Sequence, residues 1–509
     1  MTRHRRKSRS GNRHDGSQQP PVQAGWPGGR YRPLAETDMP ALHEGVVHIL
    51  SKIGLSDASR PATDVIVDHG GQQTGDGRVV FPPSLVEDAI AGFQRGFTLH
   101  GQLAGHELLL SDKNVYMGSG GASPNVVDLE SGRYRAATLA DLHDAARLVD
   151  ALDNVHFFSR PVTARDLPDE YQIDINTAFA CLAGTSKHVC VSAFNGKNAK
   201  QIIRLCHAVA GSARKFREEP FLSFNINHVT PPLRFADDAM DVIASAVMRD
   251  VPVHANVFGQ IGASSPVHLA GSLVQSMAES LAGGIYAWML NPKAKVIFGP
   301  KPMITDLRTG GLSGGGGEQA IAMAAAAQFC QYYGLPNVSI AGASDSKLAD
   351  AQSGYEKCLT ITLAAQAGSN LITQAAGTLA SLMATAFDSY VIDNDMLGSI
   401  MSSLRPLEVC DDSLGLESID DVVHGPGHFL GEKPTYENMK TAFYYPDLAD
   451  RRPHGEWAAD GSSDIRDRAR IRARELLAEH RPRHLDESLQ QDLAKRFGIR
   501  IVSCIHAPA

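Results

Sequence analysis

The chain is poor in anything that would cross-link it or carry it through a bilayer. Its 509 residues hold seven cysteines, at 181, 190, 206, 330, 358, 410 and 504, and no two form a CxxC pair. Such an odd, scattered set excludes a disulfide framework and a zinc finger, and it fits reduced thiols in a cytoplasmic protein. No run of 18 apolar residues occurs, so no membrane-spanning helix is expected. No GxGxxG follows a predicted strand, and no GxxxxGK continues into Ser or Thr, which removes the usual phosphate-binding signatures. The net charge, 48 − 56 = −8, weighs against nucleic acid as a partner. Aromatic residues make up only 6%, so any near a strand end becomes a candidate contact. What remains, 43% hydrophobic and 20% charged, is an ordinary globular composition.

The first residues do not form a secretory signal. Arg3, Arg5, Arg6, Lys7, Arg9 and Arg13 have no apolar core behind them. Residues 1–33 therefore read as a disordered basic tail, with an organellar transit peptide as the alternative. From residue 34 to 445 the chain reads as one α/β unit with an N-terminal extension. Residues 446–509 read as a C-terminal helical segment packed on it, its stripe of Ile465, Ala469, Ala473, Leu476 and Leu477 set among arginines.

A rhythm runs through the middle. β-rich runs begin near Val155, His188, Phe221, Val251, Lys295, Val338 and Asn370, with helical stretches between them. Thr138 with Asp141 three positions on predicts a capped helix, and Ser265 followed by Pro266 predicts another that runs to Trp288. Strands alternating with helices at this spacing imply parallel pairing, and seven or eight such units favour a (β/α)8 TIM-type barrel. An eighth strand is expected either in 422–430 or in NVVDL, from Asn125.

Alternation along a strand sends neighbouring side chains to opposite faces. In FLSFNIN, Leu222, Phe224 and Ile226 should pack outward and Ser223, Asn225 and Asn227 inward. In VPVHANVF, His254, Asn256 and Phe258 should face inward, and in HVCVSAF, His188, Cys190 and Ser192 share one side. The interior is thus expected to be polar and uncharged, where a purely structural one prefers branched aliphatics. Either a ligand cavity open at the strands' C-terminal ends or an internally satisfied polar core would fit.

Several chemistries compete for these residues. His188, His228 and His254 lie on or just after strands, but no HxH pair does, so ordinary histidines are favoured over a metal site and no metal is expected. Cys190 is either a nucleophile or a buried small thiol. The run TGGLSGGGGEQ, from Thr309, is a flexible loop, a cradle for a small carboxylate or, with less support, one for a phosphate. AGASDSKLADAQSGYEK, from Ala341, follows a strand and brings Asp345, Lys347, Asp350, Tyr355 and Glu356 to the expected mouth.

That segment resembles the trimethylamine methyltransferase family, which carries a similar DSK loop and GxEK-like turn. GSGGASPNVVDLESG from Gly118, LVDALDNVHFFSRP from Leu148, GASSPVHLAGSLVQ from Gly262, YYGLPNV from Tyr332, VIDND from Val391, GPGHFLG from Gly425 and FYYPDLADRR from Phe443 extend the likeness over roughly residues 34 to 480. The resemblance implies a (β/α)8 barrel that passes a methyl group from a methylated amine to Co(I) of a separate corrinoid protein. The cobalamin belongs to that partner, so no tightly bound cofactor is expected here. Members acting on trimethylamine carry pyrrolysine. The resemblance puts Ala343 at the matching position, and this chain has only standard residues. It is therefore similar to the non-pyrrolysine, glycine betaine branch, and a quaternary amine becomes the expected substrate.

Aromatic faces hold trimethylammonium groups, and Phe157, Phe158, Phe258, Phe298 and Tyr355 are the candidates. A betaine carboxylate needs donors: Arg308, Asn227, His254 and the backbone of residues 314–317 are candidates, with Asn256, Gln260 and Asp345 as further contacts. The partners expected are a small quaternary amine, a corrinoid protein and further copies of the chain, with no nucleic acid and no membrane. Two alternatives stand beside this reading: a metal-dependent barrel hydrolase, and a non-catalytic betaine-binding protein.

Overall fold

The computed structural model describes residues 24–500. The basic run from Arg3 to Arg13 lies outside the described residues. The end of the expected tail is within them, and it is held in place. The Gly25 and Gly28 amides donate to the Val115 and Lys113 carbonyls, and Arg30 and Tyr31 both donate to Gln366.

The α/β core is built on parallel strands. β1 (Tyr116–Met117), β2 (Phe157–Ser159), β3 (His188–Val191), β4 (Leu222–Asn227), β5 (Val253–Gln260), β6 (Val296–Met303), β7 (Val338–Ile340) and β8 (Leu371–Thr373) run in chain order. Five form one parallel half-barrel in the order β6-β5-β4-β3-β2, and three form a second sheet in the order β7-β8-β1. Single parallel bridges, Gly118 to Phe157 and Phe298 to Asn337, join the two sheets at either edge. The thinness of the second junction has a chemical cause. Phe298 donates across it to Pro336. The next two residues of β6 that would donate in that direction are Pro300 and Pro302, which have no N–H.

Each strand is followed by a helix: α1 (Leu139–Asp150), α2 (Glu170–Gly184), α3 (Gly196–Val209), α4 (Asp237–Val247), α5 (Leu269–Leu290), α6 (Gly317–Tyr332), α7 (Ala351–Gln366) and α8 (Phe387–Ser403). The capping box at α1 forms as expected: Thr138 Oγ1 accepts from the Asp141 amide and Asp141 accepts from the Thr138 amide. α5 begins three residues later than Ser265 and Pro266 suggest. Ser265 instead bonds the Ser272 hydroxyl at 2.6 Å, inside the turn that leads into the helix. No helix among the described residues is long and apolar enough to cross a membrane.

The eighth strand is not where the sequence suggests. Residues 416–424 form a helix, and Asn125–Val127 pairs with Tyr134–Ala136 and Ala384–Ala386 in a small separate sheet. β1 takes the place instead, two residues long and just ahead of the Gly118 loop. An antiparallel hairpin, Phe97–Leu99 with Leu108–Leu110, closes the N-terminal end of the strands. Its Phe97, Leu99, Leu108 and Leu110 form one buried cluster with Tyr116, Phe157, Cys190, Ile297, Val338 and Leu371.

Helix α9 (Ile465–Glu479) buries Ala469, Ala473 and Leu477 against α8 and α1, and α10 (Glu487–Phe497) follows it. Arg147 of α1 ties this end down, its guanidinium donating to Leu477 and His480 carbonyls at 2.6 and 2.7 Å. Two buried acids of α8 do similar work. Asp395 accepts from the Leu448 and Ala449 amides at 2.7 and 2.8 Å. Asp393 pairs with Lys357 of α7 at 2.6 Å and accepts from the Gly377 amide at 2.7 Å. Replacing Asp393 by Asn leaves the Lys357 ammonium buried without a counter-charge, which costs about 3–5 kcal/mol. A correspondingly lower urea midpoint for Asp393→Asn is the expected result.

Candidate functional site

The interior face of the strands carries the polar column that alternation predicts. Ser223 is its hub. Its hydroxyl lies 2.9 Å from His188 Nε2, 2.9 Å from His254 Nε2 and 3.3 Å from Cys190 Sγ. One step nearer the mouth, the Asn256 amide donates to Asn225 Oδ1. Leu222, Phe224, Ile226, Val253, Ala255 and Val257 pack outward in the main core. Burial decides the charge state of the column. It lowers His188 to about 4, and it holds His254 well below the usual imidazole range, with Lys301 and His188 adding to the effect. It pushes the Cys190 thiol up to about 12. Both rings are neutral at pH 7 and the thiol keeps its proton, so the buried-thiol reading of Cys190 stands. His254 Nδ1 and Asn256 Oδ1 are buried with no hydrogen-bond partner.

Lys301 was not among the residues singled out from the sequence. It lies on β6 on the same face as Ile297 and Gly299, and it is 1% exposed. Its Nζ sits 4.9 Å from the centre of the Phe258 ring. Burial lowers its pKa to about 7. Alternation from Ile297 would have found it, but Pro300 and Pro302 bracket it and make the strand look finished at Gly299. Gly299 is required beside it, because a Cβ there would run into Asn256 Oδ1.

Other expected site residues lie elsewhere. Phe158 and Phe298 point into the outer core; Phe298 meets Phe93 at a tilt of 52°, with ring centres 4.9 Å apart. Parity explains both, since each is one residue out of step with an inward position. Phe157 points inward but sits at the floor with the hairpin. Arg308 is on an exposed hairpin tip, its side chain 89% exposed and forked onto Asp306 at 2.9 Å. Tyr355 is 63% exposed on α7. Asn227 and Gln260 are exposed at the ends of β4 and β5. His228 leaves the column for the Glu279 carbonyl on α5, at 2.9 Å. Ala343 is buried just past β7, with its carbonyl against Gly314. Among the described residues no three His, Cys, Asp or Glu side chains come together as a metal site.

The glycine-rich loop does cradle a carboxylate, but it is the protein's own. Asp345 accepts from the Gly314 amide at 2.9 Å and from Ser381 at 2.8 Å, with Gly315 and Ser313 at 3.4 Å. Glu356 takes the Ser344 hydroxyl at 2.7 Å and the Asp345 amide at 2.8 Å. Asp350 caps α7, and Lys347 bonds back to the Asp345 carbonyl. The DSK loop therefore shapes the mouth and does not present charge to it. At the opposite lip, Gln374 places its amide against the Gly121 backbone and the Thr373 hydroxyl. Asp345→Ala releases Gly314 and Gly315. Since a hydrogen bond to a charged group contributes about 1.5–3 kcal/mol, their amide hydrogen exchange is expected to speed up at least ~10-fold by mass spectrometry.

The family model for trimethylamine methyltransferase (MTTB) matches residues 2–500. The chain is 29% identical over 465 residues to a glycine betaine methyltransferase of Desulfitobacterium hafniense (strain Y51), covering 91% of this chain and 96% of the relative. It is 30% identical over 461 residues to the trimethylamine methyltransferase MttB of Desulfitobacterium hafniense (strain DSM 10664 / DCB-2), covering 90% and 92%. A crystal structure of the Methanosarcina barkeri monomethylamine methyltransferase MtmB is similar at 13% identity and TM-score 0.48, over 87% of this chain and 88% of that one. The chain belongs to the trimethylamine methyltransferase family.

Proposed function

We propose that this methyltransferase moves a methyl group from a quaternary amine, glycine betaine or a related betaine, to the corrinoid of a separate protein. The observation that carries the reading is the match along nearly the whole chain to a glycine betaine methyltransferase, in a sequence made only of standard residues, with Ala343 just past β7. The same reading takes the two parallel sheets as one closed (β/α)8 barrel. Its support is the pair of bridges at the sheet edges and the helix that follows every strand.

The interior suits this chemistry. The corrinoid, brought by its own protein, would supply a cobalt nucleophile at the strands' C-terminal ends. A quaternary nitrogen already bears its positive charge. When its C–N bond breaks, the electron pair stays on nitrogen and a neutral tertiary amine leaves. No proton has to be delivered, so none of the neutral imidazoles, the amides or the protonated thiol of the column has to act as an acid. The work left to this chain is to orient one methyl group toward the mouth and to exclude water. Phe258, whose ring lies 4.9 Å from Lys301 Nζ, stands near the mouth end of β5.

The test incubates the protein with reduced cobalamin, free and carried by a candidate corrinoid protein, and follows the corrinoid's visible spectrum. Methylation is expected with glycine betaine or another betaine, with the demethylated amine found by mass spectrometry. Turnover of trimethylamine, or none with any betaine, overturns the reading. Arg308→Ala is expected to change betaine turnover less than about twofold, the scatter of a neutral surface substitution.

A further inference from the structure

Three lysines are buried among the described residues: Lys187, Lys301 and Lys357. Two are saturated. Lys187 Nζ donates to the Val149, Leu152 and Val155 carbonyls at 2.7, 2.7 and 2.6 Å. Lys357 Nζ donates to Asp393 at 2.6 Å and Ser389 at 2.8 Å. Lys301 has only the Phe258 ring, and no hydrogen-bond acceptor reaches its Nζ among the described residues. An ammonium taken out of water without acceptors is costly, so proteins pair nearly all such groups.

The groups that face Lys301 do not supply the missing charge. Cys190 comes from β3, and His254 from β5 with His188 behind it. The thiol is protonated and both rings are neutral, as described above. Two further atoms of the same interior, His254 Nδ1 and Asn256 Oδ1, also lack partners. One ring nitrogen, one amide oxygen and one ammonium thus stand open in a single polar column. The ammonium is complementary to a small molecule that brings an anionic group down toward it, while the amide oxygen and the ring nitrogen are acceptors that suit the same molecule's cationic end.

We infer that Lys301 is the anchor for the substrate's carboxylate, so that the site selects trimethylammonium compounds with an acid at the other end over those without one. The inference rests on the quaternary-amine reading and adds to it the residue that recognises the substrate's far end. Anchored there, the carboxylate leaves the ammonium end directed at the mouth. Burial keeps the free ammonium weakly basic, near pH 7, so above that pH binding of an anion must draw a proton back onto Nζ.

Glycine betaine and choline separate the cases, since they share the trimethylammonium group and differ in carboxylate against hydroxyl. Binding to the full chain is measured by calorimetry from pH 6.5 to 9 in buffers of different ionisation enthalpy. Glycine betaine is expected to bind more tightly than choline. Its affinity should fall by about tenfold per pH unit above 7, with about one proton taken up per ligand. Lys301→Met, close to the original in volume and free of the buried charge, is expected to keep or raise the melting temperature. It should lose at least about tenfold in betaine affinity, equal to about 1.4 kcal/mol, and bind choline as before. Lys301→Arg, which keeps the charge, should retain a preference for betaine.

Three results overturn the anchor: betaine affinity unchanged in Lys301→Met, wild-type affinity flat across the pH range, or choline binding at least as tight as betaine. Wild-type protein that binds neither compound overturns the anchor and the betaine reading together. Tight betaine binding without corrinoid methylation overturns the activity alone, and methylation by a Lys301→Met variant with unchanged KM overturns the anchor alone.

Discussion

A carboxylate withdrawn from water must be ringed by donors, and this chain uses that requirement to fasten its loops to its helices. Asp345 gathers the glycine-rich loop and Ser381, Glu356 holds the Ser344 hydroxyl and the Asp345 amide, and Asp393 joins α7 to the loop after β8. Asp395 secures the segment around Leu448, which α9 then covers. Asp345 and Asp393 each collect donors from separate segments of the chain. Three of the segments that carried the resemblance, the DSK loop, VIDND and YYPDLADRR, supply or receive these fastenings. Their acids hold the mouth in shape and leave the interior free of negative charge.

Local physics decided what was legible in the sequence. The inward and outward halves of β3, β4 and β5 follow from alternation alone, and the column of His188, Cys190, Ser223, Asn225, His254 and Asn256 sits where it was expected. The capping box at Thr138 needed only two residues three apart. β1 was invisible, because two residues carry no period. The hairpin under the strands was invisible for another reason: its place depends on six strands that meet it from elsewhere in the chain. Phe158 and Phe298 show how sharp the limit is, since a parity error of one residue exchanges the interior for the outer core.

Arg308 and the glycine loop failed in another way. Both had the right chemistry for binding a carboxylate, and each had already found one within the protein, Asp306 and Asp345. Composition near a strand end says what a group can bind and not whether it is already satisfied. Lys301 is the converse case. A lysine between two prolines looks like a turn, yet it is the buried ammonium that its surroundings leave open.

The hairpin of Phe97–Leu99 and Leu108–Leu110 covers the N-terminal ends of the strands, so a substrate bound between them as proposed would lie in a blind well. A blind well has one threshold, and traffic over it is last in, first out. Nothing resting at the floor can be exchanged while a larger body stands above it. For any reaction in which a small molecule and a second protein must meet there, this dictates the sequence of arrivals, small before large, and the reverse sequence of departures.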